Sequence, residues 1–309
     1  MLPLSSQNIQ SMKLSTILFL SSICCLLLVG CKADGSDVDA SPATPSTSSS
    51  ATAASTSVTP ADTKGYAPAG YSLVWSDEFN EGTMPSEKNW GYQSGGHGWT
   101  AKELQLYQDA DPDNVGVADG LLRITALVEK TKRNAFTSTR LVSKGKAMFE
   151  EGYFEVRAKF PSGEGMRSAF WMVGDTVSKI GWPKAGEIDL VEHYGKFPTV
   201  VGCAVQTPLN YWSKKSQLGG SKIVKTAESD FHVYGCLWTP ERLEFSVDGE
   251  VYWTYDAVSL TGGLSYPFKW PFYMVANVSV GGVRGPGGEL KPENFPASMY
   301  IDYVRVFQK

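Results

Sequence analysis

The chain has 309 residues, 28 Lys and Arg against 32 Asp and Glu, a formal net charge of −4, and 42% hydrophobic residues. That balance, with no basic stripe, excludes nucleic acid as a partner, and the length suits one all-β domain of about 200–250 residues with a tail. Nine Trp and fourteen Tyr serve either as core packing or as platforms for sugar rings.

Taken in chain order, the first element is the run MKLSTILFLSSICCLLLVGC, which opens at Met12-Lys13 and ends in Leu28-Val29-Gly30-Cys31. A short apolar stretch behind a positive residue reads as a signal peptide rather than a spanning helix. Small residues before a Cys resemble a bacterial lipobox, so residues 1–31 are expected to be a signal with Cys31 as the lipid-bearing residue. An ordinary secretory signal with incidental cysteines is the competing reading, and the polar lead ahead of Met12 leaves the start at Met1 or Met12. Lys32 and Ala33, with no Asp directly after the Cys, resemble lipoproteins sorted to an outer membrane. Residues 32–65 are nearly all Ser, Thr, Ala and Pro. Such a segment buries too little apolar surface to offset its ordering entropy and is expected to be a disordered tether. The expected product is a secreted monomeric domain, residues 66–309, held by lipid at the bacterial envelope.

From Tyr71 to Phe307 short alternating or aromatic-rich runs follow one another between Gly, Pro, Asn and Asp: YSLVWSDEF, GLLRITALV, EGYFEVRAKF, RSAFWMV, EIDLVEHY, FHVYGCLWT, RLEFSVDGEVYWTYD, PFYMVANVSV and MYIDYVRVFQ. Asp248-Gly249 between two alternating runs is a strong two-residue hairpin signal. No long segment has helical periodicity with caps, and strands at this spacing predict a sandwich or barrel. In GYFEVRAKF, Phe154, Val156, Ala158 and Phe160 share an apolar face. Tyr153, Glu155, Arg157 and Lys159 share a polar one, suited to solvent or to a sugar cleft. Cys203 and Cys236 sit in apolar strand-like runs and form either a disulfide or two buried thiols.

The stretch AGEIDLVEHYG, from Ala185 to Gly195, places three acids inside a run that otherwise reads as a buried strand. Parity puts Glu187 and Asp189 on one face but would turn Glu192 into the sheet interior, where an unpaired carboxylate costs several kcal/mol. One extra residue, a β-bulge between Asp189 and Glu192, returns all three to the same face. Three carboxylates this close raise one another's pKa. One is then expected to hold a proton near neutrality while another is ionised, the division glycoside hydrolysis requires. A calcium site and a solvated strand face compete with this reading. Trp171, Trp182 and Tyr194 flank the acids with aromatic faces suited to a pyranose. On parity His193 points away from the acids as a structural histidine, and His97 and His232 carry no motif.

These residues resemble glycoside hydrolase family 16, and within it the laminarinase-like endo-1,3-β-glucanase branch, whose signature Glu-x-Asp-x-x-Glu matches Glu187, Asp189 and Glu192. LVWSDEFN, KGKAMFEEGYFEVRAKFPSGEG, WTPERLEFSVDG, PFYMVANVSVGG and YIDYVRVFQ extend the similarity over residues 71–308. The resemblance implies a concanavalin A-like β-jelly-roll sandwich of two packed antiparallel sheets with a concave substrate cleft. It further implies Glu187 as nucleophile, Asp189 as helper and Glu192 as acid/base. Trp182, Trp171, Arg140, Glu103 and Asn277 would contact substrate, with no cofactor needed for catalysis. A structural calcium held by Glu78, the Gly120 backbone and Asp302 is a further implication.

Three positions depart from that branch. Arg167 stands where a Trp is usual, offering a forked donor in place of a stacking platform. Gln206 stands where a His is common, and Lys102 where an Asn is typical. The expected activity is retaining endo-hydrolysis of internal β-1,3 linkages in a laminarin-like glucan. The alternative substrate is a β-galactan, either β-1,3-galactan or an agar-type algal galactan, with Arg167 and Gln206 as substrate contacts. A transglycosylase differs only in its second step. A non-catalytic sugar-binding sandwich is the rival from another class, and the intact acid trio argues against it.

Overall fold

The alternating runs form antiparallel strands because their β-branched and aromatic residues fit a pleated, half-buried surface. The computed structural model describes residues 65–96, 99, 102–129, 135–257, 266–281 and 288–309. The expected signal segment, Cys31, the tether up to residue 64, and His97 lie outside the described residues. Two sheets pack face to face as a jelly-roll sandwich. The first, the active-site sheet, runs in the order Leu218–Ile223, Val200–Gln206, Glu187–Tyr194, Met166–Gly174, Phe272–Val280, Arg140–Val142, Gly91–Tyr92. The second runs from one edge in the order Glu250–Asp256, Arg242–Val247, His232–Trp238, Gly152–Lys159, Ala297–Gln308 and Leu121–Val128, with Ser72–Asp77 paired to Ala297–Gln308.

The core lies between them. Ile188, Leu190 and Val191 from the first sheet join Phe154, Val156, Val304 and Val306 from the second in one buried cluster. Burial of this kind stabilises by about 25 cal/mol per Å² of apolar surface. Asp248 and Gly249 have φ of 50° and 80°, the double left-handed turn that a tight hairpin needs. Asp248 also closes the end of the neighbouring strand, accepting from the Val233 amide at 2.9 Å and from His232 Nδ1 at 2.7 Å.

The strand Gly152–Lys159 corrects one expectation. Its apolar face does enter the core, but the strand belongs to the second sheet, so its polar face lies on the opposite side of the sandwich from the acids. Nor is that face an open solvent surface, because Glu155 is completely buried. The Tyr66 amide donates to Glu155 Oε2 at 3.0 Å, and Arg305 lies 3.9 Å from Oε1 while resting 3.7 Å above the Tyr303 ring. Cys203 and Cys236 are free buried thiols, one on each sheet.

Candidate active site

The bulge forms where the carboxylates demand it. Between Asp189 and Glu192 the strand advances three residues while its partner advances two, from Ala204 to Gly202. On the other side Phe170 pairs with Val191 and Trp171 with Asp189, so Leu190 is the extra residue. Leu190 and Val191 both enter the core, while the Glu192 charge acts on Glu187, and the charges of both act on Asp189.

Burial is the main influence on these acids. It raises the Glu187 carboxyl from 4.5 to about 7; Arg167 opposes this, Glu192 adds to it, and Arg140 and the hydrogen bond from Trp182 oppose it. Asp189 is also raised, by burial first and then by Glu187 and Glu192. Its Oδ2 accepts from Gln206 Nε2 at 3.2 Å, while its buried Oδ1 has no hydrogen-bond partner. Trp182 Nε1 donates to Glu187 Oε2 at 3.0 Å.

Arg167 is placed differently from the expected sugar contact. Its Nε donates to Glu192 Oε1 at 2.9 Å and its Nη2 bonds the same oxygen, while Nη1 lies 3.9 Å from Glu103 Oε1. Burial alone would lower the guanidinium, but Glu192, then Tyr194 and Glu103, hold it above its usual range. Glu103 also accepts from Gln105 Nε2 at 3.0 Å, so it serves the protein before any sugar. Asn277 likewise has both ends engaged: Oδ1 accepts from Trp171 Nε1 at 2.8 Å and Nδ2 donates to the Tyr107 hydroxyl at 3.0 Å. Asn277 therefore orients Trp171. Arg140 sits with Cζ 4.6 Å from the Trp171 ring centroid and 5.7 Å from that of Trp99, and its Nε is buried without a partner. Lys102 is exposed at the near end, with φ of 59°.

Gln206 bridges several elements. Besides Asp189, its amide nitrogen reaches Gln217 Oε1 at 3.3 Å and its oxygen accepts from the Trp212 amide at 3.0 Å. His193 faces away from the acids, stacked on Phe160 at 5.0 Å. Its Nδ1 meets the Val200 carbonyl at 3.1 Å and its Nε2 meets Glu228 at 3.0 Å.

Sequence reasoning missed Tyr107, Trp99, Tyr211 and Trp212. Tyr211 and Trp212 pack against Trp182 with centroids 5.4 and 6.3 Å away, and their only signal was an aromatic pair in an irregular segment. The residues expected to hold calcium do not assemble for it. Glu78 receives Arg305 Nε and Nη2, both at 2.9 Å, Asp302 is bonded by Arg157, and Gly120, with φ of 73°, completes a hairpin turn beside Asp119. Both carboxylates are taken up by guanidinium groups, and among the described residues no group of three or more His, Cys, Asp or Glu could hold a metal.

Comparison with known proteins places these features in context. Residues 73–309 match the family model described as Beta-porphyranase A-D, GH16 domain. The chain is 42% identical over 244 residues to a beta-glucanase of Rhodothermus marinus, covering 77% of this chain and 85% of that one. It superposes on the X-ray structure of the laminarinase from Rhodothermus marinus with a TM-score of 0.73 at 42% identity, covering 77% of this chain and 97% of that chain. It is also 32% identical over 249 residues to a keratan-sulfate endo-1,4-beta-galactosidase of Sphingobacterium multivorum, covering 78% of this chain but only 56% of that protein.

Proposed function

The chain belongs to glycoside hydrolase family 16, and from that membership we propose that it is a retaining endo-glycosidase cleaving internal β-1,3 linkages of a laminarin-like β-glucan. The observation that carries this reading is the bulge at Leu190, which turns two long carboxylates and a third between them to one side of the sheet. Double displacement uses them in order. Glu187 attacks the anomeric carbon as Glu192 gives its proton to the departing glycosidic oxygen, and a glycosyl ester forms on Glu187. Glu192, now a carboxylate, takes a proton from water; that water attacks the anomeric carbon and frees Glu187. Trp182 holds Glu187 Oε2, which leaves Oε1 as the attacking oxygen. Asp189, buried and raised, keeps a proton between its neighbours. The carboxylates carry both steps, so the chemistry calls for no cofactor.

A β-galactan is the second reading, favoured by the family model, by the galactosidase relative and by Arg167 near the acids. Reducing-sugar release from laminarin, porphyran, agarose and β-1,3-galactan, measured side by side, tests both. Turnover of laminarin supports the glucanase, and cleavage of a galactan with laminarin untouched replaces it. Glu187→Gln separates either enzyme from a sugar-binding sandwich, because it should bind oligosaccharide and release no reducing ends. The N-terminal reading completes the proposal: a signal peptide, lipidation at Cys31 and a tether would hold a monomeric enzyme at the bacterial cell envelope. Metabolic labelling with a fatty acid, lost in Cys31→Ser, checks it.

A further inference from the structure

Three donors converge on a single oxygen of Glu192. Arg167 Nε reaches Oε1 at 2.9 Å, Arg167 Nη2 bonds the same atom, and the Tyr194 hydroxyl donates to it at 3.2 Å. Among the described residues no hydrogen bond goes to Oε2. The guanidinium is itself held from three sides, by Glu192, by Glu103 at 3.9 Å and by the Tyr194 ring, whose centroid lies 5.8 Å from Cζ. It leaves only 22% of its side chain exposed. The guanidinium N–H groups have no lone pair to receive a hydrogen, so the proton of the acid form is disfavoured on Oε1 and belongs on Oε2.

We propose that Arg167 is the positioning residue for the acid/base: it saturates Glu192 Oε1, fixes the plane of the carboxyl, and confines the transferable proton to Oε2. This rests on Glu192 being the acid/base. The charged or titratable groups that interact with Glu192 are Glu187, Asp189 and Tyr194 from its own strand, Arg167 from Met166–Gly174, and the buried Cys203 thiol from Val200–Gln206, while Glu103 acts on Arg167. The strand on its other side offers Gly202, which has no side chain, as the paired residue. Arg167 is thus the cation in contact with Glu192, and losing it should alter both the orientation of the carboxyl and the pH at which it gives up its proton.

The test is the pH dependence of kcat and KM on whichever polysaccharide is cleaved, for the wild type, Arg167→Met, Arg167→Lys and Tyr194→Phe. For Arg167→Met we expect kcat to fall at least about tenfold and the alkaline limb of kcat/KM to move up by about one pH unit. Arg167→Lys should keep the limb near its wild-type place while recovering only part of kcat, since a point charge lacks the fork. A raised KM with kcat and the limb unmoved would overturn the proposal and make Arg167 a sugar contact. If Arg167→Met fails to fold, Tyr194→Phe decides: a smaller upward move of the limb supports the proposal, and an unmoved limb overturns it. Should no polysaccharide be cleaved, the glycosidase reading fails by itself. The Cδ resonance of Glu192, assigned through Glu192→Gln in the ¹³C-glutamate-labelled protein, then reports the same contact without turnover. Titration curves that differ between the wild type and Arg167→Met support it, and coincident curves overturn it.

Discussion

Glu187→Gln should make the protein more stable at slightly alkaline pH while abolishing turnover. Burial raises the Glu187 carboxyl from 4.5 to about 7, so the folded protein binds this proton more tightly than the unfolded chain. The favourable contribution is therefore fully present below about 4.5 and lost as the pH rises through about 7. A difference of about 2.5 pH units at ~1.4 kcal/mol each gives a ceiling of about 3 kcal/mol. Glu187 is partly exposed, and solvent screening brings the expectation to about 2 kcal/mol. The amide cannot ionise, so the variant escapes the loss, and Asp189 is relieved of its neighbour's charge as well. Urea unfolding at pH 5 and pH 8 measures this directly: about three quarters of the effect falls between them, so the stability of Glu187→Gln minus wild type should grow by about 1.5 kcal/mol. A difference that stays constant across that range would refute the assignment of a burial-raised carboxyl at this position.

Three further outcomes follow from particular contacts. Trp182→Phe removes the donor to Glu187 Oε2, and because that bond holds the carboxyl down, the acid limb of kcat/KM should move to higher pH, by up to about one unit. Asn277→Ala strands Trp171 Nε1 and the buried Tyr107 hydroxyl; at about 1–3 kcal/mol for each lost partner, the melting temperature should drop and KM should rise. Gly249→Ala should destabilise the hairpin by about 1–2 kcal/mol, read as a lower urea midpoint with unchanged KM, since its φ is 80° and a Cβ there would lie 2.4 Å from Tyr66 Cδ1.

The active-site strand was legible because an unpaired carboxylate in a sheet interior is costly enough to dictate backbone geometry. Offsets of 0, 2 and 5 admit one inexpensive solution, and the register shift at Leu190 is that solution. Asp248-Gly249 was legible for a similar reason, since a turn with two left-handed residues limits which side chains occupy it. Parity failed where a question crossed strands. It separates the two faces of Gly152–Lys159 but does not say to which sheet the strand belongs, and it gave no hint that residues 65 and 66 would cover Glu155. Contacts such as Asn277 with Tyr107, 170 residues apart, or Arg167 with Glu192, depend on which strands lie side by side. The metal expectation came from family position. In the structure Arg305 and Arg157 reach Glu78 and Asp302, contacts that no local pattern announces.

The two roles proposed for Glu187 and Glu192 need opposite protonation states, and the charges the acids exert on one another supply a way to set them together. A nucleophile must be ionised, yet in the free site Glu187 is raised to about 7. After burial, Glu192 is the influence that raises it, while Arg167, Arg140 and Trp182 hold it down. A proton on Glu192 Oε2 removes the like charge and leaves burial alone to oppose those three, so loading the acid favours ionisation of Glu187. Asp189 lies between them in sequence and is raised by burial and by both neighbours, with Oδ1 unpartnered. The bulge thus does more than rescue a misplaced carboxylate. By bringing the third acid to the same face, it makes the protonation of one end of the site determine the charge at the other.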